Sequence, residues 1–158
     1  LVHLIRPGLA PCVAAFWTQI IHCDAIATPA RCTVAFASGQ QLIFEESAAA
    51  PPRNAYDAQE RSAYHLAFYL PTAAAFCAAF EAAAAAGLLY ANARFEGGPP
   101  EFASAMTWAD AHACGQFRVK ELRGAATSDE VGLVLELEVR APTHVSCPIG
   151  CSEVPSRE

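Results

Sequence analysis

Two carboxylates on one short apolar run are the residues best placed to do chemistry. Glu136 and Glu138 lie in Gly132-Leu-Val-Leu-Glu-Leu-Glu-Val-Arg140, where Leu133, Leu135 and Leu137 alternate with Val134, Glu136 and Glu138. A period of two predicts a β-strand with one apolar face. A strand this rich in Leu and Val belongs inside a sheet, and a carboxylate buried there needs a cation or a hydrogen-bond donor. Arg118 and Arg140 can pair with these acids across neighbouring strands, or can hold an anionic substrate; pairing is the preferred reading. Two imidazoles, His3 and His65, open apolar runs elsewhere in the chain.

The elements that must position these side chains follow from pattern and breakers. His3-Leu-Ile predicts a short strand, and Pro7-Gly8 ends it. Pro11 to His22 predicts a helix, with Val13, Phe16, Trp17, Ile20 and Ile21 on one stripe. After Pro29, strands are expected over Cys32–Ala37 and Leu42–Glu46, with Ser38-Gly39 turning between them. The first segment therefore reads strand, helix, then two or three strands. A polar, Pro-containing connector follows over 47–61, where Pro51 and Pro52 cannot donate to a ladder.

A second run begins with a strand at Tyr64–Leu70. Thr72 is a good N-cap for a helix over Ala73–Ala86, which carries Phe76 and Phe80 one turn apart, and Gly87 is a natural stop. A strand is expected over Leu88–Phe95. Residues 96–114 read as a long loop with a short helical turn around 103–111. Gln116–Leu122 is a strand, Gly124–Asp129 a turn, and the Glu136/Glu138 strand ends at Pro142.

The second run repeats the first: strand, helix, strands. His3-Leu4 matches His65-Leu66. Gly39-Gln-Gln-Leu-Ile-Phe-Glu45 lies against Gly132-Leu-Val-Leu-Glu-Leu-Glu138, which sets Ile43 against Glu136 and Glu45 against Glu138. The expected class is α+β, built of two βαβββ modules. Module 1 spans about 1–47, a linker 48–62 and module 2 about 63–146 in one domain, with a tail over 147–158.

Composition narrows the function classes. At 158 residues one domain is the default. With 54% apolar and 16% charged residues, the chain can build a core. A net charge of −6, with Lys120 the sole lysine, argues against a nucleic-acid partner. The longest soft stretch, Ala73–Tyr90, contains Glu81 and Gly87 and reads as an ordinary helix, so no membrane partner is expected. No secretory signal is visible; the compartment stays open, with the cytoplasm as default.

Among the seven cysteines, Cys12, Cys23, Cys32, Cys77 and Cys114 read as small hydrophobes. Cys147-Pro-Ile-Gly-Cys151 has half of a zinc-knuckle pattern without its second pair, so free thiols or a loose disulfide are expected there.

The doubled unit with His on its opening strands resembles the vicinal oxygen chelate superfamily. That group includes glyoxalase I, extradiol dioxygenases, fosfomycin-resistance proteins and bleomycin-binding proteins. The resemblance rests on His3 with Phe16-Trp17, on Tyr64-His65-Leu-Ala, and on Gly132-Leu-Val-Leu-Glu136-Leu. Gln116-Phe-Arg-Val-Lys and Glu138-Val-Arg140 with His144 are similar to an uncharacterised branch. It covers about residues 3–146. It implies a glyoxalase/bleomycin-resistance/dioxygenase-like cleft with metal ligands on the opening and closing strand of each module.

Those slots fall on His3, Ile43, His65 and Glu136. Ile43 departs from the pattern because it has no donor atom. The implied set is thus two His and one Glu, which suits a divalent ion such as Fe, Mn, Zn, Ni or Co. Such an ion would capture two neighbouring oxygens of a small-molecule substrate and stabilise developing negative charge. Glu138 is the candidate base, hydrogen-bond partner of a metal ligand or alternative ligand, and Glu45 the next.

Each residue also has a plain reading: His3 frayed, His65 a satisfied strand histidine, the glutamates on a wet sheet face. His112 and His144 are expected at the surface. The metal-dependent enzyme (dioxygenase, lyase or isomerase, or thiol transferase) competes with a metal-free binding protein of the bleomycin-resistance kind and with a non-catalytic scaffold. Either a monomer or a homodimer accommodates two modules.

Overall fold

The computed structural model describes residues 1–36, 39–50, 65–92, 95, 105–124 and 133–147. Their order is β1 (Val2–Ile5), α1 (Ala10–Gln19), β2 (Ala25–Thr28), β3 (Arg31–Ala35), β4 (Gln41–Glu46), β5 (Leu66–Tyr69), α2 (Ala73–Ala85), α3 (Trp108–Cys114), β6 (Gln116–Leu122) and β7 (Leu133–Arg140). None of the described helices is long and apolar enough to cross a membrane.

The strands form two sheets with matching topology. In the first the order is β1-β4-β3-β2, with β1 parallel to β4 and the remaining pairs antiparallel. In the second it is β5-β7-β6, with β5 parallel to β7 and β6 antiparallel to it. An antiparallel bridge from Leu89 to Val119, with Tyr90 N–H donating to the Arg118 carbonyl at 2.9 Å, lies where β2 stands in the first sheet. Each module therefore opens with a strand and a helix and sets its first strand beside its last; in the second, the Leu89 bridge and α3 stand between α2 and β6 where the first has β2. The fold is α+β with two βαβββ modules, the architecture the resemblance implies.

Local chemistry explains the elements. Pro11 sits in the first turn of α1, where a missing N–H costs no helical bond. The α1 N-terminus is capped from outside the helix: Glu46 Oε1 accepts from Ala10 N–H at 2.8 Å, placing a carboxylate at the positive end of the helix dipole. Thr72 caps α2 by accepting from Ala75 N–H at 3.0 Å, and Gly87 stops it at φ +64.

Two expectations are corrected. The strand over Leu88–Phe95 shrinks to the Leu89 bridge, because Asn92 turns its amide to Glu136 instead of extending a ladder; residues 93 and 94 lie outside the described part. The helical turn expected over 103–111 is the helix Trp108–Cys114, capped by Thr107 and ended by Gly115 at φ +66. The strand β2 occupies a stretch that the sequence pattern left undivided.

One side of each sheet is apolar and meets a helix. Trp17 of α1 touches Phe44 of β4, and Phe76 and Phe80 of α2 touch Phe117 of β6. Trp17 also stacks on Phe68 of β5 at 5.0 Å, so both modules share one core on the helix side. Fully burying an aromatic or aliphatic side chain of this size contributes about 1.5–3 kcal/mol. The other side of the second sheet carries Glu136, Glu138, Arg140, Arg118 and Gln116.

Candidate functional site

Strand register decides which candidate side chains can meet. On β1, His3 is the partner of Phe44, and the two rings make an edge contact at 6.0 Å. Neighbouring partners share a face, so His3 points to the helix side with Phe44. It is only 7% exposed, and burial lowers the pKa of its imidazole from the ordinary 6.5. On β5, Leu66 pairs with Leu137 and Ala67 with Glu138. With Phe44 set against Leu137, the residue that corresponds to His3 is Leu66. The two histidines are thus offset by one position, and a one-residue offset turns a side chain to the opposite face.

On the side away from α2, β7 and β6 build a closed charge network. Arg118 lies between the glutamates: Nη1 donates to Glu136 Oε1 at 2.6 Å and Nη2 to Glu138 Oε2 at 2.5 Å. Asn92 Nδ2 donates to Glu136 Oε2 at 2.9 Å. Arg140 Nε donates to Glu138 Oε1 at 2.5 Å, and its Nη1 to the Tyr69 hydroxyl at 2.7 Å. Tyr69 in turn donates to the Ser146 carbonyl at 2.6 Å. His65 Nε2 lies 3.3 Å from Glu138 Oε2.

The electrostatics follow from burial. Arg118 and Glu138 are each 1% exposed, so water screens neither. Two carboxylates and two guanidiniums balance, and their short contacts are charge-assisted hydrogen bonds. The Phe95 ring lies 4.5 Å from the Arg118 guanidinium carbon and adds a cation–π contact. Burial disfavours the charge on Arg140, but the hydrogen bonds to Tyr69 and Glu138 and the Glu138 charge outweigh it and push its pKa upward. Arg118 Nε–H is buried with no acceptor among the described residues.

The divalent ion that the resemblance implies does not fit these residues as they stand. Both Glu136 oxygens are taken, one by Arg118 and one by Asn92. His3 faces the helix-side core. Ile43, in the fourth slot, is the partner of Val2 and Thr33 and has no donor atom. Among the described residues no group of three His, Cys, Asp or Glu side chains is placed to hold a metal ion. Of the expected set, His65 alone reaches a β7 carboxylate, and that carboxylate is Glu138. Glu45 is exposed on the first sheet, outside this network.

Sequence reasoning missed His144, which is buried rather than at the surface. Its Nδ1 accepts from Ser146 N–H at 3.1 Å, which leaves Nε2 to donate to Gln116 Oε1 at 3.1 Å. The signal available was Gln116, a polar residue that β6 parity places on the Arg118 face. Two open cavities lie away from Glu138. One, of about 450 Å³, runs past His112, Cys114 and His144; the other, of about 300 Å³, past Tyr90 and Lys120.

No protein-family model matches the chain, and no curated protein does. Among solved structures, the chain is similar to that of a possible glyoxalase from Bacillus cereus. The identity is 14%, the match covers 89% of this chain and 94% of that one, and the TM-score is 0.47.

Proposed function

We propose that this chain is a small-molecule-binding protein that works without a resident metal, on a paired βαβββ scaffold of vicinal oxygen chelate type. The observation that carries this reading is Arg118, whose buried guanidinium already pairs with Glu136, the one carboxylate in the implied ligand set, and with Glu138, the candidate base. The binding surface is the side of the sheets away from the helices. On the first sheet, partners in register make a row of Val2, Ile43, Thr33 and Ile26, with Leu4 beside it. Val2, Leu4 and Ile26 are 55%, 42% and 71% exposed, a surface suited to an apolar ligand. On the second sheet, half-buried His65, Tyr69 and Arg140 supply polar contacts.

The competing reading is an enzyme that chelates two neighbouring oxygens through an ion on His3, His65 and Glu136, with Glu138 as base. It needs Glu136 to leave Arg118 and Asn92, and His3 to leave its contact with Phe44. The 3.3 Å approach of His65 to Glu138 is the one observation in its favour.

Elemental analysis of purified protein, before and after dialysis against a chelator, separates the two. The expected result is no stoichiometric divalent metal, together with ligand-induced thermal shifts, across a panel of small apolar and oxygenated molecules, that the chelator leaves unchanged. One tightly held ion per chain, with thermal shifts that vanish on its removal, overturns the proposal.

A further inference from the structure

On the open side of the first sheet, register sets two rows across the four strands, in the order β1-β4-β3-β2. One row is Val2, Ile43, Thr33 and Ile26; the other is Leu4, Glu45, Arg31 and Thr28. Val2, Leu4 and Ile26 are exposed, and apolar side chains grouped in water mark a contact surface. Arg31 and Glu45 are direct partners across β3 and β4 and both are exposed, yet neither makes an ion pair among the described residues. Opposite charges directly across two strands ordinarily stabilise each other. Here they stand unjoined beside an apolar row.

These two rows complement themselves. A half-turn about an axis that runs along the strands, above the gap between β3 and β4, lays β3 of a second copy over β4 and its β2 over β1. Arg31 of each copy then lies over Glu45 of the other, because the two are level in register. Ile26 of each copy lies over Val2 of the other, since both belong to the apolar row. One twofold operation thus yields two ion pairs and two apolar contacts, as an isologous interface requires. Strands that stay aligned apart from sheet twist are a standard way for two sheets to pack, about 10 Å apart. Strand spacing and rise make the patch roughly 19 by 16 Å. That is the low end for a specific interface, so the pair forms and separates with concentration.

We propose that the open side of the first sheet is covered by a second copy of this chain, in a dimer whose first sheets meet face to face with Arg31 and Glu45 paired crosswise. The proposal rests on the reading of the helix-free side as the binding surface and names a partner for the first sheet's share of it. An apolar small molecule on that sheet competes with the partner.

Sedimentation equilibrium tests this on the full chain, from about 5 to about 500 µM. Reductant is present throughout, because the chain has seven cysteines and a disulfide-linked pair would mislead. The proteins are native, Ile26→Lys, Arg31→Glu, Glu45→Arg, and an equal mixture of the last two. The expected result is a native monomer–dimer equilibrium that each single variant weakens at least about tenfold. The mixture should regain dimer, because one chain then carries two acids at these positions and the other two arginines. No chain in the mixture holds both changes, so recovery cannot come from repair within one molecule. Circular dichroism checks that each variant is folded; if Ile26→Lys is not, the charge variants decide. A native chain that stays monomeric throughout overturns the proposal and leaves the metal-independent reading untouched, since that reading is decided by elemental analysis. A dimer that no variant weakens uses another surface, and a mixture that stays monomeric denies the crosswise pairing; either result overturns the proposal.

Discussion

Replacing Arg118 by Met tests whether the network is held by charge. Methionine keeps a long apolar stem, so the change removes the guanidinium with little loss of packing. Two charge-assisted hydrogen bonds disappear, and Glu138, 2% exposed in its side chain, stays buried with Arg140 and His65 as its remaining partners. Glu136 keeps the Asn92 amide and is 14% exposed, which softens its loss. Breaking one side of a buried ion pair costs about 3–5 kcal/mol. In a chain of this length that corresponds to a fall in Tm of roughly 6–20 °C. Adding Glu136→Gln and Glu138→Gln should recover most of the loss at neutral pH, because the buried like charges are gone. Urea denaturation measures both. A single variant that loses under about 1 kcal/mol, or a triple variant no better than the single, refutes the idea that Arg118 neutralises these acids.

Three further outcomes follow from the same geometry. The pKa of His3 is lowered by burial, so the unfolded chain binds its proton first, and stability due to the neutral ring is intact above pH 6.5 and declines below it; His3→Leu should flatten that part of the acid limb in thermal melts, and an unchanged limb counts against a buried His3. Tyr69→Phe removes the hydroxyl that joins Arg140 to the Ser146 carbonyl and should cost on the order of 1–2 kcal/mol in urea titration, with equal stability contradicting the link. Gly115→Ala faces a left-handed φ of +66 and would set its Cβ 3.3 Å from His144 Cα; a loss of about 1–2 kcal/mol is expected, and a gain would show that the α3 stop is more adaptable than described.

The doubled architecture was legible because it is written in local signals. Thr72 and Gly87 bound α2, alternation marks β6 and β7, and the aromatic stripes of both helices point to one core. The pairing of Arg118 with the β7 acids was legible too, since strand parity puts Arg118 opposite Glu138; Arg140 meets Glu138 along β7 rather than across strands. His144 was not, because its burial depends on the segment just after β7 folding back over Gln116 and Tyr69, which no periodicity records.

Register was the deeper obstacle. Matching His3 to His65 and Phe44 to Leu137 are each reasonable on their own, yet the strand partners allow only one of them. A parallel pair whose strands are separated in sequence by a helix and further strands has no tight turn to count residues from, so its offset is set by which side chains the core accepts. His3 went inward with Phe44 because Phe44 packs under Trp17, and the β1 residues at the other parity, Val2 and Leu4, were left facing out. The second module made the opposite choice: Leu66 pairs with buried Leu137, and His65 meets Glu138. A shift of one residue between the modules therefore separates the two imidazoles and leaves a cation's place beside Glu136 and Glu138 that Arg118, from the antiparallel neighbour β6, is positioned to fill.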